Sequence, residues 1–201
     1  MTDLLWQPGI DRLNHSAMAE FLRAHPNCDS YADLHQWSID NVETFWSDVW
    51  DYCDIIGEKG PKPWLSSERI FKAQFFPQGS LNYAENCLRA PDDQLALIGL
   101  WENGDQREVS FKELRHMVAA VSEYLKHQGV VPGDVVAGFL PHGIQAVVAC
   151  LATAAIGATW SSCSPDFGVA GLVDRFGQVE PKVLFTINAY HYNGKLVSIT
   201  D

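Results

Sequence analysis

The sequence has no C-x-x-C pair. Its five cysteines, Cys28, Cys53, Cys87, Cys150 and Cys163, are odd in number and far apart. That pattern excludes a disulfide framework and a cysteine zinc site, and it fits a reducing, cytoplasmic setting. Basic residues are also scarce: Lys and Arg total 14 against 25 Asp and Glu, for a net charge of −11. Residues 1–60 carry 11 of the acids and only 3 of the bases. So acidic a chain, with no Lys/Arg stripe, repels phosphate backbones, and no nucleic-acid partner is expected. An anionic metabolite needs a local site instead. Long apolar runs are missing as well. The most apolar window, "IQAVVACLATAAIGATW", is short for a membrane span, contains Gln145 and Thr153 and has no basic flank. "MTDLLWQPGIDR" lacks the basic start and apolar core of a signal peptide. No membrane partner is expected either.

The common catalytic signatures are absent too: no G-x-x-x-x-G-K-[ST], no G-x-G-x-x-G after a strand, no G-x-S-x-G and no H-E-x-x-H. His15, His25 and His35 lie ten apart, which is no metal-ligand spacing, so no metal site is read from them. What is present is an ordinary globular balance, 47% apolar and 19% charged over 201 residues, enough to bury a good core.

Up to about Pro91 the pattern reads as helices and loops without strand alternation. In "SIDNVETFWSDVWDYCDII", Val42, Phe45, Trp46, Val49, Trp50 and Cys53 share one helical face, and Asp40 with Glu43 is placed as a capping box. Trp37, Trp46, Trp50 and Trp64 crowd this region and are read as rings filling a helix-to-domain contact. "GEKGPKPWLSSE" breaks the pattern and reads as a loop or linker.

From Leu95 strands alternate with helices, the pattern of a mainly parallel α/β sheet. "LALIGLWE" and "REVSF" read as strands. Ser110 and Glu113 make a capping box for a helix whose stripe is Phe111, Leu114, Val118, Val121 and Leu125, stopped at Gly129. "VPGD" turns into "VVAGFL", a strand expected to be buried on both faces. An apolar helix runs to about Gly157, and "ATWSS" is the next strand. Val169, Leu172, Val173, Phe176 and Val179 form a further stripe ended by Pro181, and "KVLFTI" is a last parallel strand. "WSSCSPDFG" therefore lies at a strand's carboxyl end before a helix, where open α/β sheets bind ligands. Asp166 is expected to cap that helix. His142, after "VVAGFLP", is the one histidine this arrangement brings near a cleft.

"SLNYAENCL", the block from "VSFKELRHMV" to "WSSCSPDFG", and "VEPKVLFT" together resemble the N-terminal part of the AMP-forming acyl-CoA synthetases, from about Trp37 to Lys195. "WSSCSPDFG" and "LNYAENCL" are most similar to members that activate acetoacetate. The resemblance implies residues 1–92 as a helical N-terminal region packed on residues 93–201, the first part of the AMP-binding α/β domain, truncated. It also implies a two-step ligase: a carboxylate reacts with ATP to give an acyl-adenylate and pyrophosphate, and the acyl group then passes to the thiol of coenzyme A. AMP makes the carboxylate oxygen a good leaving group, and Mg²⁺ offsets the triphosphate charge as the anions meet.

The family's Ser/Thr/Gly-rich phosphate loop, its aromatic-Gly-x-Thr-Glu motif and its C-terminal lysine have no match here. The 201 residues alone are thus expected to be inactive, as the first part of a longer enzyme. In acetate-activating relatives the loop matching Ser164, Pro165 and Asp166 lies by the coenzyme A nucleotide, and residues matching Tyr192 and Lys195 contact its phosphates. Here Ser-Pro-Asp replaces an aromatic-Gly-Gly, Tyr192 replaces a basic residue and Lys195 keeps the positive charge, so Lys195 is the better coenzyme contact. Cys163 has no activating base and reads as packing. The resemblance leaves two other readings open: an acetate- or propionate-activating relative, and a non-catalytic binding module.

Overall fold

In the computed structural model, which describes residues 5–65 and 69–199, short polar side chains set the first helix boundaries. Helices α1 (Ile10–His15) and α2 (Ala17–Arg23) meet at Ser16, whose hydroxyl accepts from the Ala19 N–H at 3.1 Å. Ser30 does the same for α3 (Tyr31–Asp40), accepting from Asp33 N–H. Helix α4 (Val42–Tyr52) starts after Asn41, which has a non-helical backbone and makes no side-chain cap. The expected capping box is therefore absent. Asp40 is the last residue of α3, where its carboxylate accepts from the Gln36 amide at 3.1 Å.

Phe21, Cys28 and Leu34 are buried here, with Trp37, Phe45 and Val49 against them. Two-residue ladders follow: β1 (Gly57–Glu58) pairs antiparallel with β4 (Ser80–Leu81), and β2 (Trp64–Leu65) with β3 (Gln74–Phe75). Strands this short cannot display alternation, so the region read as strand-free. The "GEKGPKPWLSSE" stretch contains β1 and β2; its residues 66–68 lie outside the described residues. The tryptophans meet rings of the same region: Trp46 and Trp64 lie 4.9 and 4.7 Å from Phe75, and Trp50 lies 4.8 Å from Phe76, centroid to centroid. That accounts for their crowding by packing within the unit.

The chain divides into two compact units at Leu81/Asn82. Asn82 opens the second: its Oδ1 caps α5 (Tyr83–Cys87), and its Nδ2 donates to the Ala155 carbonyl at 3.0 Å. Ala84 is fully buried in this unit's core. Strands β5 (Leu95–Leu100) and β6 (Gln106–Ser110) form their own antiparallel hairpin around Asn103–Gly104 and take no part in the parallel sheet. A connection that short allows only antiparallel neighbours.

Helix α6 (Phe111–His127) begins with the Ser110 hydroxyl accepting from Glu113 N–H, as expected. The Glu113 carboxylate completes no capping box and pairs with Arg107. The parallel sheet has the order β8 (Thr159–Cys163), β7 (Val135–Phe139), β9 (Val183–Thr186). Central β7 is buried on both faces from Val136 to Phe139. On one face α6 and α7 (Ile144–Ala155) bury Leu114, Val118, Leu125, Val148 and Leu151. On the other, Ala137 and Phe139 meet Phe176 of α8 (Val169–Phe176). Helix α8 ends three residues before the last position of its expected stripe. Glu180 has a left-handed backbone (φ 45°) just ahead of Pro181, and Val169 and Val173 stay 80% and 60% exposed. A last hairpin, β10 (Ala189–Tyr192) with β11 (Lys195–Ser198), closes the described residues.

Candidate functional site

The parallel register sets Phe139 beside Cys163 and Gly138 beside Ser162, so β7 and β8 end together. The chain leaving them frames a cleft of about 290 Å³ lined by His142, Ser162, Cys163, Ser164, Phe167 and Arg175, among others. His142 is thus where the sequence placed it. The Arg175 guanidinium stands 4.0 Å over the Phe167 ring, a cation–π contact that holds a positive charge at the mouth. Cys163 packs beside Phe139 and Phe176, and burial pushes its thiol pKa up. It is therefore held as the neutral thiol, as packing requires and nucleophilic attack does not.

Beyond Cys163 the backbone turns, with Phe167 N–H donating to the Ser164 carbonyl at 3.2 Å. Asp166 lies inside this turn, and Phe167 and Gly168 stand between it and α8, whose N-cap Gly168 has no side-chain cap. Asp166 is therefore no helix cap. Its Oδ2 accepts from the Ser164 hydroxyl at 2.8 Å, and its Oδ1 from the Tyr190 hydroxyl at 2.6 Å. The two donors, Tyr190 first, hold the Asp166 carboxyl below the usual range, and the same carboxylate raises the Tyr190 phenol.

Tyr190 carries the β10–β11 hairpin to this turn. Tyr192 pairs with Lys195 across a two-residue loop, Asn193 and Gly194, both left-handed at φ 50° and 70°. That is the type I′ geometry for which Asn-Gly is suited. Strand alternation and this pairing set Tyr190, Tyr192 and Lys195 on one face of the hairpin, the face whose Tyr190 meets Asp166. Hydrogen bonds thus join Ser164, Asp166 and Tyr190, and Tyr192 and Lys195 follow on the Tyr190 face of the hairpin. Tyr192 and Lys195 are exposed, and Ser164 is half-buried.

Three residues the sequence analysis did not single out matter here: Tyr190, Arg175 and Glu102. Glu102 leaves the tip of the β5–β6 hairpin, and its two oxygens accept from Asn193 N–H at 3.1 Å and Gly194 N–H at 3.2 Å. The hairpin itself was signalled by "NG" between "AYHY" and "KLVS". Among the described residues no three His, Cys, Asp or Glu side chains converge as metal ligands, and no helix is long and apolar enough to cross a membrane.

Residues 83–200 match the family described as AMP-binding enzyme, and residues 31–87 match the one described as acetyl-coenzyme A synthetase N-terminus. The acetoacetyl-coenzyme A synthetase of Rhizobium meliloti (strain 1021) is 40% identical over 196 residues, covering 95% of this chain and 30% of that protein. The acetoacetyl-CoA synthetase of Danio rerio is 44% identical over 173 residues, 84% of this chain and 26% of that protein. The solved acetoacetyl-CoA synthetase from Streptomyces lividans superposes with a TM-score of 0.90 at 40% identity, over 98% of this chain and 32% of that one. The chain thus spans about a third or less of the length of these relatives.

Proposed function

The chain belongs to the AMP-binding enzyme family, and from that premise we propose that it contributes the coenzyme side of an AMP-forming acetoacetate–CoA ligase. The whole ligase would convert acetoacetate, ATP and coenzyme A to acetoacetyl-CoA, AMP and pyrophosphate through an acyl-adenylate. The acid is taken from the relatives, which are named for acetoacetate and are 40–44% identical. ATP and Mg²⁺ would be engaged elsewhere in such a ligase. A cytoplasmic location agrees with five free thiols.

The observation that carries the reading is the Asp166–Tyr190 hydrogen bond, which ties the Ser164–Asp166 turn to the hairpin that bears Tyr192 and Lys195. The chemistry fits a nucleotide phosphate. Lys195 offers an exposed ammonium donor, and Tyr192 offers an aromatic face and a hydroxyl. Both oxygens of Asp166 are engaged by hydroxyl donors. These donors keep Asp166 ionised, so Lys195 and not Asp166 is the proposed phosphate contact.

Calorimetric titration with coenzyme A, paired with a pyrophosphate-release assay on ATP and acetoacetate, tests this. Saturable coenzyme A binding that Lys195→Ala weakens, with no pyrophosphate released, is expected. Pyrophosphate release by the 201 residues, or absence of coenzyme A binding, would contradict the reading.

A further inference from the structure

We propose that Glu102 is a positioning residue for Lys195, acting through the Asn193–Gly194 turn. The inference rests on the coenzyme reading of Lys195 given above. In a two-residue hairpin loop the central N–H groups have no ladder partner, because only the flanking pair, here Tyr192 and Lys195, belongs to the ladder. Glu102 meets both of them, one oxygen to each, at 3.1 and 3.2 Å. A charged acceptor makes the stronger kind of hydrogen bond. The contact spans 91 residues of sequence and joins the tips of two hairpins that share no ladder. At its other end β10 is tied to the Ser164–Asp166 turn by Tyr190. A hairpin pinned at Tyr190 and again at its tip holds the intervening Tyr192 and the adjoining Lys195 in one place relative to that turn. Glu102 thereby cuts the conformational freedom an isolated two-stranded ribbon would lose on binding an anion.

The sign of the effect separates this role from simple electrostatics. Glu102 is a carboxylate near a proposed phosphate contact, so deleting its charge should tighten coenzyme A binding if charge alone mattered. Positioning predicts the opposite. Coenzyme A affinity of the 201-residue protein should fall about five-fold or more in Glu102→Ala, with Tm unchanged within about 2 °C. Glu102→Gln, which keeps one acceptor and the same reach, should lie between. Backbone amide exchange at Asn193 and Gly194 should speed up in Glu102→Ala. Unchanged or tighter binding in Glu102→Ala, while Lys195→Ala weakens it, would overturn the inference and leave the coenzyme reading standing. If Lys195→Ala binds like the parent, the coenzyme reading fails and the positioning role fails with it. The exchange measurement judges the clasp independently: unaccelerated Asn193 and Gly194 amides would overturn it.

Discussion

Asp166 and Asp134 show how single carboxylates set local structure in this chain. Each is held below the usual carboxyl pKa: Asp166 by the Tyr190 and Ser164 hydroxyls, Asp134 by the Val131 N–H at 2.8 Å and the Lys182 ammonium at 2.9 Å. A carboxylate whose folded pKa is depressed contributes stability that is fully present above its unfolded value of about 3.9 and disappears as pH falls through the folded pKa. Asp134→Asn should therefore lower Tm at pH 7, and its gap from the parent should close in acid, as thermal scans from pH 7 to pH 2 can check. A gap independent of pH would show that Asp134 acts by shape alone. Tyr190→Phe should let the Asp166 carboxyl titrate nearer its ordinary value, which carboxyl NMR can follow. The sequence correctly placed Asp166 at a strand's carboxyl end but misassigned its partner. An aspartate directly before a helix often caps it, but Asp166 lies inside the Ser164–Phe167 turn, three residues before Val169, and its partner Tyr190 is distant in sequence.

At the scale of elements, close approach in the sheet decides more than propensity. Gly138 in β7 lies beneath the Trp160 indole of β8, and a Cβ there would stand 2.4 Å from the ring. Gly138→Ala should destabilise the parent and cost much less in a Trp160→Leu background, a non-additivity that denaturant unfolding of the four proteins measures. Equal costs in both backgrounds would remove the contact from the account. Leu125 of α6 is completely buried, so Leu125→Ala should cost about 2–5 kcal/mol. Helix α6 was legible in its bounds because the Ser110 cap, apolar stripe and terminal Gly129 all agree, although Glu113 pairs with Arg107 and not with the cap. The β10–β11 hairpin was passed over although "NG" marks it, because "YNGK" was read for charge and not for turn chemistry. The sequence reading starts α4 one residue early, with the cap at Asp40, because no residue pattern marks that α3 ends there and Asn41 precedes α4.

For the molecule as a whole, the second unit shows what its sheet leaves uncovered. Among the described residues β8 and β9 are each paired on one side only. Val169 and Val173 of α8 stand exposed, and Met117, Val121, Ile144, Val148 and Phe185 line an apolar hollow of about 470 Å³. Open strand edges and apolar surface favour association. Sedimentation of the 22.4 kDa chain should therefore show concentration-dependent self-association, whereas a monomer at all concentrations would mean these surfaces are inert. Fold class was legible at this scale from strand and helix alternation. The two segments of the candidate site came together in the sequence only through the family resemblance, since hydrogen bonds between Asp166 and Tyr190 and between Glu102 and Asn193 leave no trace in local pattern. The central claim is that Ser164–Asp166 and Tyr190–Lys195 form one coenzyme surface. Hydrogen–deuterium exchange of the chain with and without saturating coenzyme A tests it most directly. The account predicts slowed exchange in both 164–167 and 190–195, and slowing confined to other segments would contradict it.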